Sequence, residues 1–324
     1  MTQTPFDLRV PESVLPGKRL DLVLVEDFAL CRRSRVKQDL LELFCNGRPA
    51  KASTRVQPGD RITGILTSAP LPEAPAQPMD FSVIHEEEGY LVIDKPQGMV
   101  VHPGAGNHDG TIVNGLLWRY RDVPFFDRSA RESDETHRDD GERDSDAIRP
   151  GIVHRLDKET SGVLIIAKDL DTHHHLARQF FLGAVGKEYL AITRGIPRAT
   201  TGTIEKAIGR DPRHRKRFTV VDEDRGKHAS TEYRVLRRFS GYALVLLRPG
   251  TGRTHQLRVH LSSLGTPILG DPLYSRRDPG VPEATMMLHA LSLAISPAPG
   301  QEQRVFRSRL PDRFRRTMAI LPEA

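Results

Sequence analysis

A polar turn runs directly into a short apolar segment near the middle of the chain. The turn is His154-Arg155-Leu156-Asp157-Lys158-Glu159-Thr160-Ser161-Gly162, and the segment is Val163-Leu164-Ile165-Ile166-Ala167. The apolar run predicts a buried strand, and a tight turn at its start would hold one acidic side chain rigidly beside the core. Asp157 is therefore a candidate reacting carboxylate. Because Arg155 and Lys158 flank it, a surface ion pair at the strand end explains the same residues equally well.

A second strand, turn and helix are predicted far downstream. Residues 242–247 form an apolar strand, residues 250–252 are a glycine-rich turn, and a helix follows with Thr254 as its N-cap. Leu257 and two later leucines share one face of this helix, and Gly265 ends it. Arg253 lies in the tight loop before the helix, where the backbone holds it and its long side chain can reach a carboxylate.

Together these segments resemble the pseudouridine synthases of the large-subunit ribosomal RNA type, whose hallmark is an Arg-Leu-Asp triplet within this wider motif. Further motifs follow in the family's order: Asp94-Lys95-Pro96-Gln97-Gly98, Val101-His102-Pro103-Gly104, Lys187-Glu188-Tyr189-Leu190-Ala191, Gly270-Asp271-Pro272 and Leu288-His289-Ala290. The resemblance covers most of the chain. It implies an α+β fold, with a catalytic domain on a mixed, largely antiparallel sheet whose cleft holds Asp157.

The resemblance also implies a reaction, the isomerisation of uridine to pseudouridine within RNA. Asp157 would act as a nucleophile or stabilise the charge as the base departs, and the sequence leaves both routes open. Arg253 would keep this carboxylate charged and oriented. Tyr189 would lie against the uracil, where its hydroxyl can serve in proton removal from C5. Arg155 would fill the place of the flipped base, with Leu257 as an apolar pocket wall.

The bonds broken and made in this isomerisation are of similar kind, so the resemblance implies no cofactor and no metal. Residues 173–175 are three consecutive histidines. Neighbouring positions on a helix point about 100° apart, so these side chains cannot converge on one ion. Lys95 and His102 are candidates for the pocket rim.

The composition suits a polyanionic partner without proving one. The 324 residues carry a net charge of +6 with a pI near 9.4. Residues 121–149 hold six Arg against ten Asp and Glu, a local net of −4, so the rest of the chain carries +10. The two cysteines have no metal-site spacing, and no run is long enough to span a membrane. We expect a monomer in the reducing cytoplasm.

A small domain is predicted before the catalytic one. Residues 1–15 have the composition of a tail, and residues 16–66 resemble the alpha-L RNA-binding domain through Arg19-Leu20-Asp21, Ser34-Arg35, Asn46-Gly47 and Pro58-Gly59-Asp60. Basic residues crowd the start of its second helix, where the helix dipole disfavours them unless an anion such as phosphate is present. These candidate RNA contacts are Arg32, Arg33, Arg35 and Lys37.

Three further segments complete the predicted organisation. Residues 67–79 form a proline-rich linker, and the catalytic domain occupies residues 80–324. Residues 125–148 are highly charged and predict a disordered insertion. A basic run near residue 213 adds three candidate phosphate contacts, Arg213, Arg215 and Lys216.

Two function classes remain beside the synthase. A non-catalytic RNA-binding or ribosome-assembly protein could keep the fold, although Asp157, Tyr189 and Arg253 are all present. A glycoside hydrolase would need a second acid at a defined distance, and none stands out. The N-terminal domain and the Val101-His102-Pro103-Gly104 segment favour large-subunit ribosomal RNA as the substrate, with transfer RNA as the alternative.

Overall fold

The computed structural model describes residues 2–28, 40–68, 74–104, 107–126, 150–214 and 216–323. The chain divides into two compact units, with the change from one to the other after residue 73. This point falls inside the proline-rich segment. The predicted insertion lies almost wholly outside the described residues, as do Arg32, Arg33, Arg35, Lys37 and Arg215.

The first unit is a small antiparallel sheet with a short helix. Its strands are β1 Thr2–Arg9, β2 Lys18–Arg19, β3 Leu40–Cys45, β4 Arg48–Pro49, β5 Arg55–Val56 and β6 Arg61–Ser68. Four of them pair in the order β1-β6-β3-β4, and β2 pairs with β5. Helix α1 Leu20–Leu22 continues as a π-helical turn, Val23–Asp27. Buried Leu20, Val23 and Leu24 form its core with Val56 and Ile62.

The prediction of a tail at residues 1–15 was wrong. Strand β1 pairs with β6 along its whole length, from Thr2 opposite Ser68 to Arg9 opposite Arg61. Phe6, Leu8 and Val10 alternate with polar residues and pack on the core of this unit. This period of two is the signature of a half-buried strand.

The second unit is built on one nine-stranded sheet. Its strands are β7 Ser82–Glu86, β8 Tyr90–Lys95, β9 Ser161–Ala167, β10 Gly186–Arg194, β11 Thr201–Glu205, β14 Ser230–Phe239, β15 Tyr242–Pro249, β16 Leu288–Ile295 and β17 Arg304–Arg307. Eight strands follow the order β11-β14-β15-β10-β16-β9-β8-β7, and β17 pairs with β16. Only the β9–β16 contact is parallel within this sheet. The prediction of an α+β fold on a mixed, largely antiparallel sheet is confirmed.

Strand β9 is the centre of this unit because both of its faces are covered. Every one of its residues is buried. Leu164 and Ile166 pack on one face with helix α2, Ile112–Arg119. Val163 and Ile165 pack on the other face with Leu176 of helix α3, Leu170–Leu182. A strand buried on both faces needs an uninterrupted apolar sequence, as this one has.

Gly162 makes the parallel contact possible. Its φ of 117° is unfavourable for a residue with a side chain, and a Cβ here would lie 2.1 Å from the carbonyl oxygen of Ala290 on β16. The contact has only two paired positions, Ser161 with His289 and Gly162 with Ala290.

The remaining elements lie around the sheet. Strands β12 Ile208–Arg210 and β13 Phe218–Val220 form a separate hairpin, and helices α4 Gln256–Ser263 and α5 Asp312–Ile320 complete the unit. Short 3-10 turns occur at Pro124–Phe126 and Glu223–Arg225. No helix within the described part of the chain is long and apolar enough to cross a membrane.

Helix ends follow local capping rules. Thr111 caps α2 in a reciprocal capping box with Asn114, and Gly183 ends α3 with a left-handed φ of 69°. His255 occupies the N-cap position of helix α4 without a side-chain capping bond, one residue later than the predicted Thr254.

Candidate active site

Asp157 lies in the turn that precedes β9, with 22% of its side chain exposed. Its carbonyl oxygen accepts a hydrogen bond from the Thr160 N–H at 3.0 Å, which closes the turn. Arg258 and His255 both approach its carboxylate at Oδ2. No described residue donates to Oδ1, so this oxygen is available to a substrate.

Arg258 of helix α4 is the ion-pair partner of Asp157. Its Nη1 donates to Asp157 Oδ2 at 3.0 Å, while Nε and Nη2 donate to both oxygens of Asp271 at 2.7 and 2.8 Å. Burial opposes the charge, but the bonds to Asp271 and the nearby Asp157 outweigh it and raise the pKa of Arg258. A guanidinium fixed along one edge by a buried carboxylate therefore presents its remaining donor to Asp157.

The assignment of Arg253 as the partner of Asp157 was wrong. Its Nε donates to the carbonyl oxygen of His228 at 3.1 Å, and its backbone N–H donates to Gln256 Oε1 at 2.9 Å. Arg253 precedes the helix and is turned toward the loop before β14, whereas Arg258 lies within the helix on a side that faces the turn. The missed signal was an arginine between Leu257 and Val259 in a helix whose first six residues are all buried. Such a charge requires a buried partner.

His255 is a further residue at the carboxylate that the sequence did not indicate. It adopts a left-handed φ of 57°, uncommon for a residue other than glycine. Its Nε2 lies 3.8 Å from Asp157 Oδ2, and its Nδ1 lies 2.9 Å from the Tyr274 hydroxyl. Burial lowers the pKa of His255, although Asp157 acts in the opposite direction.

Tyr189 lies on β10 next to a β-bulge between Glu188 and Tyr189, an irregularity that can redirect a side chain. It packs against two of the core clusters of this unit. Burial, and then the charge of Asp157, raise the pKa of its phenol. The phenol is therefore neutral at physiological pH, and the charge of Asp157 acts on it.

Two buried groups fix the turn from behind. Lys95 is fully buried, and its Nζ donates to the carbonyl oxygens of Pro96, Met99 and Lys158 at 2.9, 2.7 and 3.1 Å. Desolvation lowers its pKa to about 8, against the opposing charge of Asp157. Lys95 is thus a support beneath the turn, and its assignment to the pocket rim was wrong because the rim is solvent-exposed.

His154 provides the second support. The Ile165 N–H on β9 donates to His154 Nε2 at 3.1 Å, and the ring stacks on Phe180 with a centroid separation of 4.4 Å. Burial, with the charge of Lys187, lowers its pKa to about 3. The imidazole is neutral and joins the turn to the strand that follows it.

The other predicted RNA contacts divide between surface and core. Arg155 is exposed two residues from Asp157, and its Nη1 lies 3.4 Å from His102 Nε2. Strands β12 and β13 and the turn that joins them are called the basic hairpin. Arg213 and Lys216 are exposed in that turn. Leu257 is 7% exposed and belongs to the main core cluster, so it forms part of the floor beneath Tyr189.

The histidine run lies away from Asp157 and carries separate contacts. His175 Nε2 lies 3.1 Å from the carbonyl oxygen of Ser296, and His173 packs on Phe125. In the part of the chain that the structure describes, no group of three or more His, Cys, Asp or Glu could hold a metal ion.

Comparison with known proteins identifies the family of this chain. A family model described as RNA pseudouridylate synthase matches residues 89–263, which include the Asp157 turn, β10 and α4. A ribosomal large subunit pseudouridine synthase D from Borreliella burgdorferi is 38% identical over 97% of this chain and 92% of its own length. An RNA pseudouridine synthase from Bacillus subtilis is 38% identical over 81% of this chain and 80% of its own length.

Solved structures show the same fold. Human RNA pseudouridylate synthase domain containing 4 is 27% identical, with a TM-score of 0.53, over 74% of this chain and 92% of that one. Human RNA pseudouridylate synthase domain containing 1 is 25% identical, with a TM-score of 0.52, over 76% of this chain and 97% of that one. The chain therefore belongs to the family of RNA pseudouridylate synthases, enzymes that isomerise uridine to pseudouridine in RNA.

Proposed function

We propose that this enzyme modifies uridines of large-subunit ribosomal RNA and that Asp157 is its reacting carboxylate. The RNA assignment rests on relatives named ribosomal large subunit pseudouridine synthase D, which match over most of their length. The observation that carries the catalytic assignment is the geometry of Asp157, whose Oδ2 is bound by Arg258 while Oδ1 has no donor among the described residues. A ribosomal RNA substrate also supports a cytoplasmic location.

The reaction sets clear demands on this site. The bond from ribose C1′ to uracil N1 breaks, a bond from C1′ to C5 forms, a proton leaves C5 and N1 gains one. Oδ1 of Asp157 is suited to add to the substrate as a nucleophile or to stabilise charge on the sugar while the base rotates. Both routes need the ionised carboxylate, which Arg258 orients through its hydrogen bond to Oδ2.

Asp271 does not act as a second acid in this proposal. Its side chain has no exposed surface, and both oxygens are bound by Arg258. The backbone N–H groups of Leu273 and Tyr274 add two further bonds to Oδ1. A glycoside hydrolase needs a second carboxyl group that can reach the substrate, and this one cannot.

The surrounding residues take supporting roles in the proposal. Tyr189, as a neutral phenol, lies against the uracil ring, and a role in removing the C5 proton would require it to lose its own proton first. The exposed Arg155 occupies the position of the flipped base. Arg213 and Lys216 contact phosphate, because exposed cations beside a site are the usual source of salt-dependent RNA affinity.

Asp157→Asn tests the catalytic assignment. The change keeps the size and hydrogen-bonding capacity but removes the charge and the nucleophilic oxygen. We expect no detectable pseudouridine under single-turnover conditions, with RNA affinity within a few-fold of wild type. A folded Asp157→Asn protein with a near wild-type rate would contradict the assignment. Such a result would mean that Asp157 forms only a surface ion pair, and it would favour a non-catalytic RNA-binding role.

The RNA target is tested by mapping pseudouridines with carbodiimide in cellular RNA, with and without the gene for this chain. Loss of specific large-subunit sites is the expected result. Loss confined to transfer RNA would overturn the ribosomal assignment while leaving the reaction class intact.

A further inference from the structure

We infer that Tyr274 is a positioning residue for the isomerisation, through which the basic hairpin is joined to the reacting carboxylate. The inference rests on the proposed role of Asp157. Tyr274 lies in the loop between α4 and β16, three residues after Asp271. It touches the hairpin on one side and His255 and Arg258 on the other.

The hydroxyl of Tyr274 has two partners of different origin. It accepts a hydrogen bond from the backbone N–H of Phe218, the first residue of β13, at 2.9 Å. Its oxygen also lies 2.9 Å from His255 Nδ1. A backbone amide can only donate, so the Phe218 bond occupies an acceptor position of the oxygen and leaves the hydroxyl proton for His255.

The aromatic ring of Tyr274 joins the same two regions. The guanidinium of Arg217, in the basic hairpin, and that of Arg258 each lie 5.1 Å from its centroid. Phe218 also packs edge-on against His255 with a centroid separation of 5.6 Å. The hairpin strands, Val259 of α4 and Tyr274 form one small apolar cluster. The basic hairpin is therefore packed onto the helix that carries Arg258.

These contacts favour one of the two neutral tautomers of His255. If Tyr274 donates to Nδ1, the neutral imidazole holds its proton on Nε2, the atom that faces Asp157. The opposite tautomer would direct an unprotonated nitrogen at the carboxylate, which is repulsive. Burial lowers the pKa of His255 and so favours the neutral ring, while burial also raises the pKa of Tyr274 and keeps its proton in place.

Asp157 is consequently oriented by one cation and one dipole. Arg258 supplies the charge at 3.0 Å, and the Nε2–H of His255 points at the same oxygen from 3.8 Å. That distance is too long for a hydrogen bond, but such contacts at unliganded sites often tighten when substrate binds. RNA that docks on the basic hairpin would press on β13, and the Phe218–Tyr274–His255 contacts would carry the displacement to Asp157.

Tyr274→Phe tests this inference, because it removes only the hydroxyl and keeps the ring between the two guanidinium groups. We expect the single-turnover rate at saturating enzyme to fall by about 10- to 100-fold, the size of effect caused by small misplacements of a reacting group. The dissociation constant for RNA should stay within threefold. Tyr242→Phe is the matched control: it removes a hydroxyl that donates to Asp278 at 3.0 Å and should leave both quantities unchanged.

A second measurement separates positioning from simple support of the fold. Long-range ¹H–¹⁵N spectra of ¹⁵N-histidine-labelled protein report the tautomer of each ring, and the His255 signals are those lost in His255→Gln. We expect His255 to be protonated on Nε2 alone in the wild type and to gain Nδ1–H population in Tyr274→Phe. A wild-type Nδ1–H tautomer, or a wild-type rate for Tyr274→Phe while Asp157→Asn is inactive, would overturn the inference alone. An active Asp157→Asn would instead overturn the proposed function.

Discussion

The turn around Asp157 and the basic hairpin differ in how they are held. The turn is held by the bond from Lys95 to the Lys158 carbonyl oxygen, by a neutral His154 bonded to β9, and by Arg258 anchored on Asp271. The hairpin instead presents Arg213 and Lys216 to solvent. Catalysis requires a carboxylate placed to within a fraction of an ångström, whereas phosphate can be bound by long, flexible cationic side chains. The two regions should therefore respond differently to substitution.

The largest effect that distinguishes the two regions is expected for Arg258→Lys. Lysine keeps the charge, but a single ammonium cannot hold both oxygens of Asp271 and still donate to Asp157. We expect the single-turnover rate to fall at least about 100-fold and the melting temperature to drop, because a buried acid loses a partner. RNA affinity should change little.

Arg253→Lys is the matched control for that substitution. It makes the same chemical change five positions earlier in the sequence, at a residue bonded to a backbone carbonyl. Its rate should remain within threefold of wild type. If Arg253→Lys proved as damaging as Arg258→Lys, the two arginines would share the catalytic role.

An intermediate effect is expected from His154→Gln, and it concerns stability at acid pH. The pKa of His154 is about 3 in the folded protein, against an ordinary value of 6.5. The unfolded chain therefore binds the proton first as pH falls below about 6.5, and the folded state loses stability over that range. By pH 5 this linkage amounts to at most about 2 kcal/mol, since solvent screening reduces it.

Urea unfolding at pH 7 and at pH 5 measures this linkage. The wild type should lose more stability between the two pH values than His154→Gln. His108→Gln, at an exposed loop position, should lose as much as the wild type. An unchanged difference in His154→Gln would show that the imidazole titrates without cost to the fold.

The smallest effects are expected in the basic hairpin. Arg213→Ala and Lys216→Ala should each weaken RNA binding a few-fold. Each should also reduce the slope of log affinity against log salt by about 0.7, the value for one contact with single-stranded nucleic acid. Turnover at saturating RNA should be retained. Arg316→Ala on α5 removes the same charge elsewhere, and an equal loss of slope there would mean that net charge alone is responsible.

Local patterns were sufficient where neighbouring residues determine the structure. The apolar run of β9 and the end of α4 before Gly265, whose φ is 76°, are properties of a few adjacent residues, and both were predicted. Strand β1 had the same kind of signal in Phe6, Leu8 and Val10, and it was overlooked. That error came from giving too little weight to a short alternating pattern.

Other features depended on tertiary placement. Arg253 lies in the loop before α4 and Arg258 lies within the helix, and only the tertiary placement of α4 decides which one meets Asp157. The supports from Lys95 and Tyr274 connect segments that are distant in sequence. No pattern of spacing encodes such contacts, although a charged residue among apolar neighbours, as at Arg258, indicates that a buried partner exists.

The parallel contact at Gly162 has a consequence for how activity arises during folding. Asp157 belongs to the β7–β8–β9 side of the sheet, whereas Tyr189 and Arg258 belong to the side that contains β10, β15 and β16. Among the described residues, two residue pairs are the whole of the strand pairing between these halves. Neither half holds a complete set of reacting groups, so an intermediate in which each has formed its own hydrogen bonds would still be inert. Turnover therefore measures directly whether the two halves of the sheet have paired at β9 and β16.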